Sequence, residues 1–128
     1  MMREILFRGK RIVDGKWITG YFVVTGRYNA IKPKGEVYYG VDPSTIGQYT
    51  GLTDKNGKKI FEGDILRFEN DDGEFSLYLC EWNGECSGWT TKFLEYDASC
   101  DALDSLFCEH AQVIGNIHDN PELLEVPT

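Results

Sequence analysis

The sequence predicts a mainly β fold, and three observations carry that reading. Fourteen of the 128 residues are Gly and only four are Pro, and the Gly residues stand between short apolar runs. Frequent turns of this kind join strands. Apolar residues alternate with a period of two in the longest such run, Phe75 to Trp82. Only one segment, Ser99 to Glu109, has helical spacing.

In chain order, Glu4 to Arg8 reads as a short strand. Arg11-Ile12-Val13 and Lys16-Trp17-Ile18 flank Asp14-Gly15, a pair that favours a type I′ hairpin turn. Tyr28 to Lys32 and Glu36 to Val41 flank Pro33-Lys34-Gly35, which predicts a second hairpin with a longer loop. Asp42-Pro43-Ser44-Thr45 is a turn, because Pro fixes φ and the Asp before it can bond the backbone ahead. Asp54-Lys55-Asn56-Gly57 and Asn70-Asp71-Asp72-Gly73 are further turns.

Phe75, Leu77 and Leu79 share one face of a strand, and Tyr78, Cys80 and Trp82 the other. With both faces largely apolar, that strand is expected to be central. Gly88 to Leu94 is its expected partner. Leu103, Leu106 and Phe107 give the helix its i, i+3, i+4 stripe, with Asp101 and Asp104 in its early turns. Val113 to Ile117 is a last strand, and Asn120-Pro121 opens a short C-terminal helical turn. The length implies a single domain spanning 1–128, built of two lobes. These are N-terminal β hairpins over 1–59 and a small SH3-like barrel lobe over 60–128.

The net charge of −8 is unevenly spread. Residues 1–68 carry 12 Lys/Arg and 7 Asp/Glu, whereas residues 69–128 carry one Lys and 14 Asp/Glu. Overall acidity argues against non-specific binding of nucleic acid or anionic membranes. The simplest reading is attraction of the halves within one fold. The sharper one sets the acidic half of one copy against the basic half of the next.

No apolar run approaches the roughly 18 residues of a membrane span. The N-terminal apolar stretch is short and interrupted by Arg8, which argues against a signal peptide. The expected location is the cytoplasm, with Cys80, Cys86, Cys100 and Cys108 as reduced thiols.

Candidate sites are few. Cys100, Cys108 and His110 form C-x7-C-x-H and Cys80 with Cys86 forms C-x5-C, neither being the tight pair of structural zinc sites. Asp54-x-Asn56-Gly57 superficially resembles a Ca²⁺ loop, but its Gly comes too early and the bidentate Glu is missing. A turn is expected there. Glu62 and Asp64 are paired carboxylates, but such pairs are common in an acidic chain; Asp64 is expected to close the turn at Gly63. No phosphate loop or dinucleotide fingerprint is present. No catalytic residue, metal ligand or cofactor is expected.

One surface remains. Arg3, Arg8, Lys10, Arg11, Lys16 and Trp17, with Phe7 among them, could form a basic aromatic face for nucleic acid. The plainer expectation is a solvated strand face with Trp17 in the core.

Three segments stand out: Arg3 to Lys10 with Asp14-Gly15-Lys16-Trp17 and Gly20; Val41 to Leu52 with Asp54 to Lys58 and Ile60 to Ile65; and Val113 to His118 with Asn120-Pro121-Glu122. Together they resemble the YopX family of phage and prophage proteins. The resemblance covers about half the chain and leaves Asn70 to His110 unmatched. It implies a mainly β protein of phage origin in a bacterial host, with no established activity, and it supplies no catalytic or binding residues. The function expected is that of a non-enzymatic accessory protein acting through protein contacts. Its partners would be further copies of itself and a host or phage protein. A nucleic-acid-binding module using the basic first half is the alternative.

Overall fold

Short strands joined by polar turns account for most of the chain, as the Gly-rich pattern predicts. The structure, a computed structural model, describes residues 4–24, 26–94 and 101–124. In order they form β1 (Phe7–Lys10), β2 (Trp17–Val24), β3 (Asn29–Lys32), β4 (Tyr39–Gly40), a 3₁₀ turn (Pro43–Thr45), β5 (Gly47–Thr53), β6 (Lys59–Phe61), β7 (Asp64–Glu69), β8 (Phe75–Asn83), β9 (Gly88–Phe93), β10 (Asp101–Ala102), α1 (Ser105–Cys108), β11 (Ala111–Asn116) and a 3₁₀ turn (Pro121–Leu124). The mainly β expectation is borne out. The chain divides into two compact units, 1–51 and 52–128.

In the first unit the strands lie in the order β4-β3-β2-β1-β5. The β1–β2 hairpin is present, with Lys10 opposite Trp17, but its turn differs from the expected type I′. Type I′ needs positive φ at both central residues, and here only Gly15 has it, at 71°. The loop is instead closed by Arg11 N–H to Lys16 C=O and Gly15 N–H to Arg11 C=O. Ile12 and Val13, expected in the strand, stand 64% and 79% exposed in this loop. The β3–β4 hairpin forms as expected around Pro33 to Glu36.

Beyond β4, Ile12 N–H donates to Gly40 C=O and Asp42 N–H to Lys10 C=O, with Arg11 facing Val41. The ladder therefore returns from β4 to the chain leaving β1. Gly9 and Gly20 allow strands to approach this closely. A Cβ on Gly9 would stand 3.2 Å from both Ile31 Cδ1 and Val41 Cβ, and one on Gly20 would overlap the Lys32 carbonyl. The Asp42 turn is built as the sequence suggests: Asp42 Oδ1 accepts from the N–H and hydroxyl of Ser44. Thr45 then accepts the Lys10 N–H through its hydroxyl oxygen, tying the turn to β1.

In the second unit the sheet runs β10-β9-β8-β7-β11, all antiparallel, with β8 central as expected. One face carries Leu66, Tyr78, Cys80 and Val113, and packs with Ile60, Leu103, Cys108 and Ala111. Phe107 of α1 stacks on Phe68 and meets Tyr78 edge-on.

The barrel expected here is an open sheet: among the described residues no ladder joins β10 to β11. The physical reason lies at the outer edge of β11. Val113 N–H donates to Asp54 Oδ2 at 2.9 Å, and Lys55 N–H donates to Ala111 C=O at 3.0 Å. The Asp54 turn thus occupies hydrogen-bonding groups that a closing strand would need.

The helix is shorter than expected. Ser99 and Cys100 lie outside the described residues, and Asp101–Ala102 pairs with β9 instead of turning. Asp104 caps α1, its Oδ1 accepting the Phe107 N–H. Leu103 therefore precedes the helix and is buried, while Leu106 is 68% exposed.

Two turns use one design. Asp54 Oδ1 accepts from the N–H groups of Asn56 and Lys58, and Asn70 Oδ1 accepts from those of Asp72 and Glu74. Each has Gly at its fourth position with φ near 82°, at Gly57 and Gly73. The difference is the second oxygen of Asp54, which reaches β11. Asp54→Asn should therefore lower unfolding free energy by about 2 kcal/mol, because an amide N–H₂ would meet the Val113 N–H. Asn70→Asp should change it by about 0.5 kcal/mol or less. Urea unfolding of both variants checks this contrast. Gly20→Ala should cost about 3 kcal/mol and Gly9→Ala about 1–2 kcal/mol, since backbone atoms of Lys32 and Pro33 oppose the first Cβ, whereas the second meets the side chains of Ile31 and Val41 at 3.2 Å. Thermal unfolding of the two would show the order.

Candidate interaction face on the N-terminal sheet

Residues opposite one another in an antiparallel ladder share a face, and alternate residues along a strand do likewise. Lys10 opposes Trp17, Arg8 opposes Thr19, and Tyr21 opposes Lys32. One face of β1–β3 therefore carries Arg8, Lys10, Trp17, Tyr21 and Lys32. The Arg8 guanidinium lies 4.8 Å from the Trp17 ring centroid, and Lys10 Nζ lies 5.3 Å from it. Lys32 Nζ is 5.5 Å from the ring of Tyr38. Trp17 is half-buried among its strand neighbours, so the expectation of a core Trp17 is corrected. With Lys10 directly across the ladder and Arg8 one step along the same face, its ring belongs to the basic face. Tyr21 and Tyr38 are 61% and 54% exposed.

Not every residue singled out in the sequence joins this face. Arg3 lies outside the described residues. Arg11 alternates to the other side, over the ring of Tyr39 at 4.5 Å and 3.5 Å from Asp14. Lys16 sits exposed in the turn, its N–H donating to Asp14 Oδ1. Phe7 also alternates away and packs on Phe22. Conversely, Tyr21, Lys32 and Tyr38 join the basic residues on this face. The period-two run Trp17-Thr19-Tyr21 contained the signal for Tyr21, whereas Lys32 needed the β2–β3 register.

Cation–ring contacts of this kind contribute about 0.5–1 kcal/mol each at exposed sites. They also hold long side chains in place before any partner arrives. The chemistry the face offers is attraction of negative charge together with flat apolar contact.

Cys80 and Cys108 are buried in the core of the second unit and Cys86 is exposed, while Cys100 lies outside the described residues. Burial, then the charges of Asp104 and Asp54, push the Cys108 thiol up to about 11, so it is neutral near pH 7 and a poor nucleophile. His110 packs on Phe68. Among the described residues no group of three His, Cys, Asp or Glu is placed to hold a metal ion.

Asp54 spends its oxygens on backbone N–H groups, as a turn and not as a calcium loop. Asp64 Oδ2 accepts the Phe61 N–H at 2.7 Å across the turn at Gly63, the closure its position suggests. Asn116 Oδ1 accepts from His118 and Asp119 N–H, and Asn120 Oδ1 from Asn116 N–H. None of the described helices is long and apolar enough to cross a membrane.

No curated protein matches the chain. Among solved structures it is similar to protein EF1440 from Enterococcus faecalis, with 25% identity and a TM-score of 0.57. That match covers 97% of this chain and all of the other. The family model described as YopX protein matches residues 10–125, which takes in strands of both units and the turns that join them. The chain belongs to the YopX family.

Proposed function

We propose that this chain is a phage-encoded accessory protein without enzymatic activity, acting in the cytoplasm of the bacterial host. It works through protein contacts and assembles with copies of itself. A further host or phage protein is recognised by the same electrostatic means. The observation that supports this reading is the match between charge and structural units. Residues 1–51 carry eight Lys/Arg and four Asp/Glu, a net of +4. Residues 52–128 carry five Lys/Arg and seventeen Asp/Glu, a net of −12. A contact between the basic unit of one copy and the acidic unit of the next is heterologous, and it propagates into a ring or an open chain.

Light scattering behind a sizing column tests this. At micromolar protein and low ionic strength the mass should exceed the 14.6 kDa of one chain. It should fall to that value near 0.5 M salt, where the screening length is only about 4 Å. A mass of one chain at every ionic strength contradicts the assembly.

A second reading places single-stranded nucleic acid on the basic face. The observation favouring it is the set of rings, Trp17, Tyr21 and Tyr38, beside Arg8, Lys10 and Lys32. Bases stack on such rings while cations follow the phosphates. The net charge of −8 opposes it. Anisotropy of a labelled oligothymidylate would then show binding whose log K falls with log salt at a slope of about −2, the value for three phosphate contacts. Binding that persists after Arg8→Glu and Lys10→Glu would rule out this face.

A further inference from the structure

The contact proposed above leaves open which surfaces meet, and the following rests on that reading. We infer that the face bearing Arg8, Lys10, Trp17 and Lys32 receives the tip of the β7–β8 hairpin from a second copy of the chain.

Charge selects this tip. Asp71, Asp72 and Glu74 lie within four residues of one another, and all three are exposed. Phe75 follows at once, 54% exposed, and the Arg67 guanidinium lies 4.3 Å above its ring. The tip thus offers three carboxylates beside one ring. The face offers three cations beside Trp17, Tyr21 and Tyr38. Each surface carries the charge the other needs, and each has aromatic area to cover.

Order on both sides favours the same pairing. Asn70 holds the tip in one shape: its Oδ1 accepts from Asp72 and Glu74 N–H, its own N–H donates to Glu74 C=O, and Gly73 N–H donates to its C=O. On the face, Arg8 and Lys10 lie on Trp17 and Lys32 on Tyr38. Neither surface must give up much freedom to bind, so less of the attraction is lost to ordering. The tip and the face are different surfaces of the chain, so the contact is heterologous.

A charge exchange tests the pairing. One variant carries Lys10→Glu and Lys32→Glu, the other Asp71→Lys and Asp72→Lys. Unchanged thermal midpoints confirm that both fold. At low salt each variant alone should run as a single chain, its self-affinity weakened at least tenfold. An equimolar mixture should regain the wild-type mass, because the reversed face now fits the reversed tip. If the wild type assembles and both variants assemble equally well, the pairing is wrong while self-assembly stands. If the variants separate but their mixture does not reassemble, the pairing is again wrong. If the wild type is a single chain at every salt, both ideas fall. Oligothymidylate binding lost in the Lys10→Glu, Lys32→Glu variant would then assign the face to nucleic acid.

Discussion

A side-chain oxygen of Asp or Asn accepting backbone N–H groups just ahead of it is the interaction on which this fold rests. It recurs at Asp14, Asp42, Asp54, Asn70, Asn83, Asp104 and Asn116. A chain of strands two to nine residues long must reverse often, and each reversal strands backbone donors that a ladder cannot use. An oxygen two residues back satisfies them locally. Asp54 shows how far the device extends. Its second oxygen leaves its own turn and caps the outer edge of β11, so one carboxylate both closes a hairpin and ends a sheet.

This accounts for the character of the family match. The segments whose sequence carries the family resemblance are largely these turns, together with the close strand approach at Gly20. Asp42 serves Ser44, Asp64 serves Phe61, and Asn120 serves Asn116. Polar residues in an ordered motif invite a catalytic reading, but these are occupied by the backbone. The surfaces proposed for recognition are the β1–β3 face, with its half-buried cations on aromatic rings, and exposed carboxylates of the second unit such as Asp71, Asp72 and Glu74.

Much of the fold was legible because turn chemistry is local. The hairpins at Pro33 and Asn70, the central place of β8 and the C-terminal turn after Asn120 follow from neighbouring residues alone. The errors arose where distant contacts decide. Asp14-Gly15 favours a tight turn, but the bonds from Ile12 to Gly40 and from Asp42 to Lys10 draw the loop open. The stripe Leu103, Leu106, Phe107 suggests a long helix, but pairing of Asp101 with Thr91 holds its first turn in a strand. The open sheet in place of a barrel over 60–128 depends on Asp54 capping β11, and nothing local to either segment reveals that contact. The site was legible in part. Arg8, Lys10 and Trp17 could be named from composition, whereas excluding Arg11 and adding Lys32 needed the strand register.

Turn residues build the fold, and the proposed partner contact uses other residues. Backbone amide shifts of ¹⁵N-labelled protein, followed on dilution at low salt, test that separation most directly. Changes should concentrate at Arg8 to Lys10, Trp17 to Tyr21, Lys32 and Asp71 to Glu74. The turns at Asp42, Asp54 and Asn116 should stay fixed. Shifts confined to those turns, with the face and the β7–β8 tip unmoved, would contradict it.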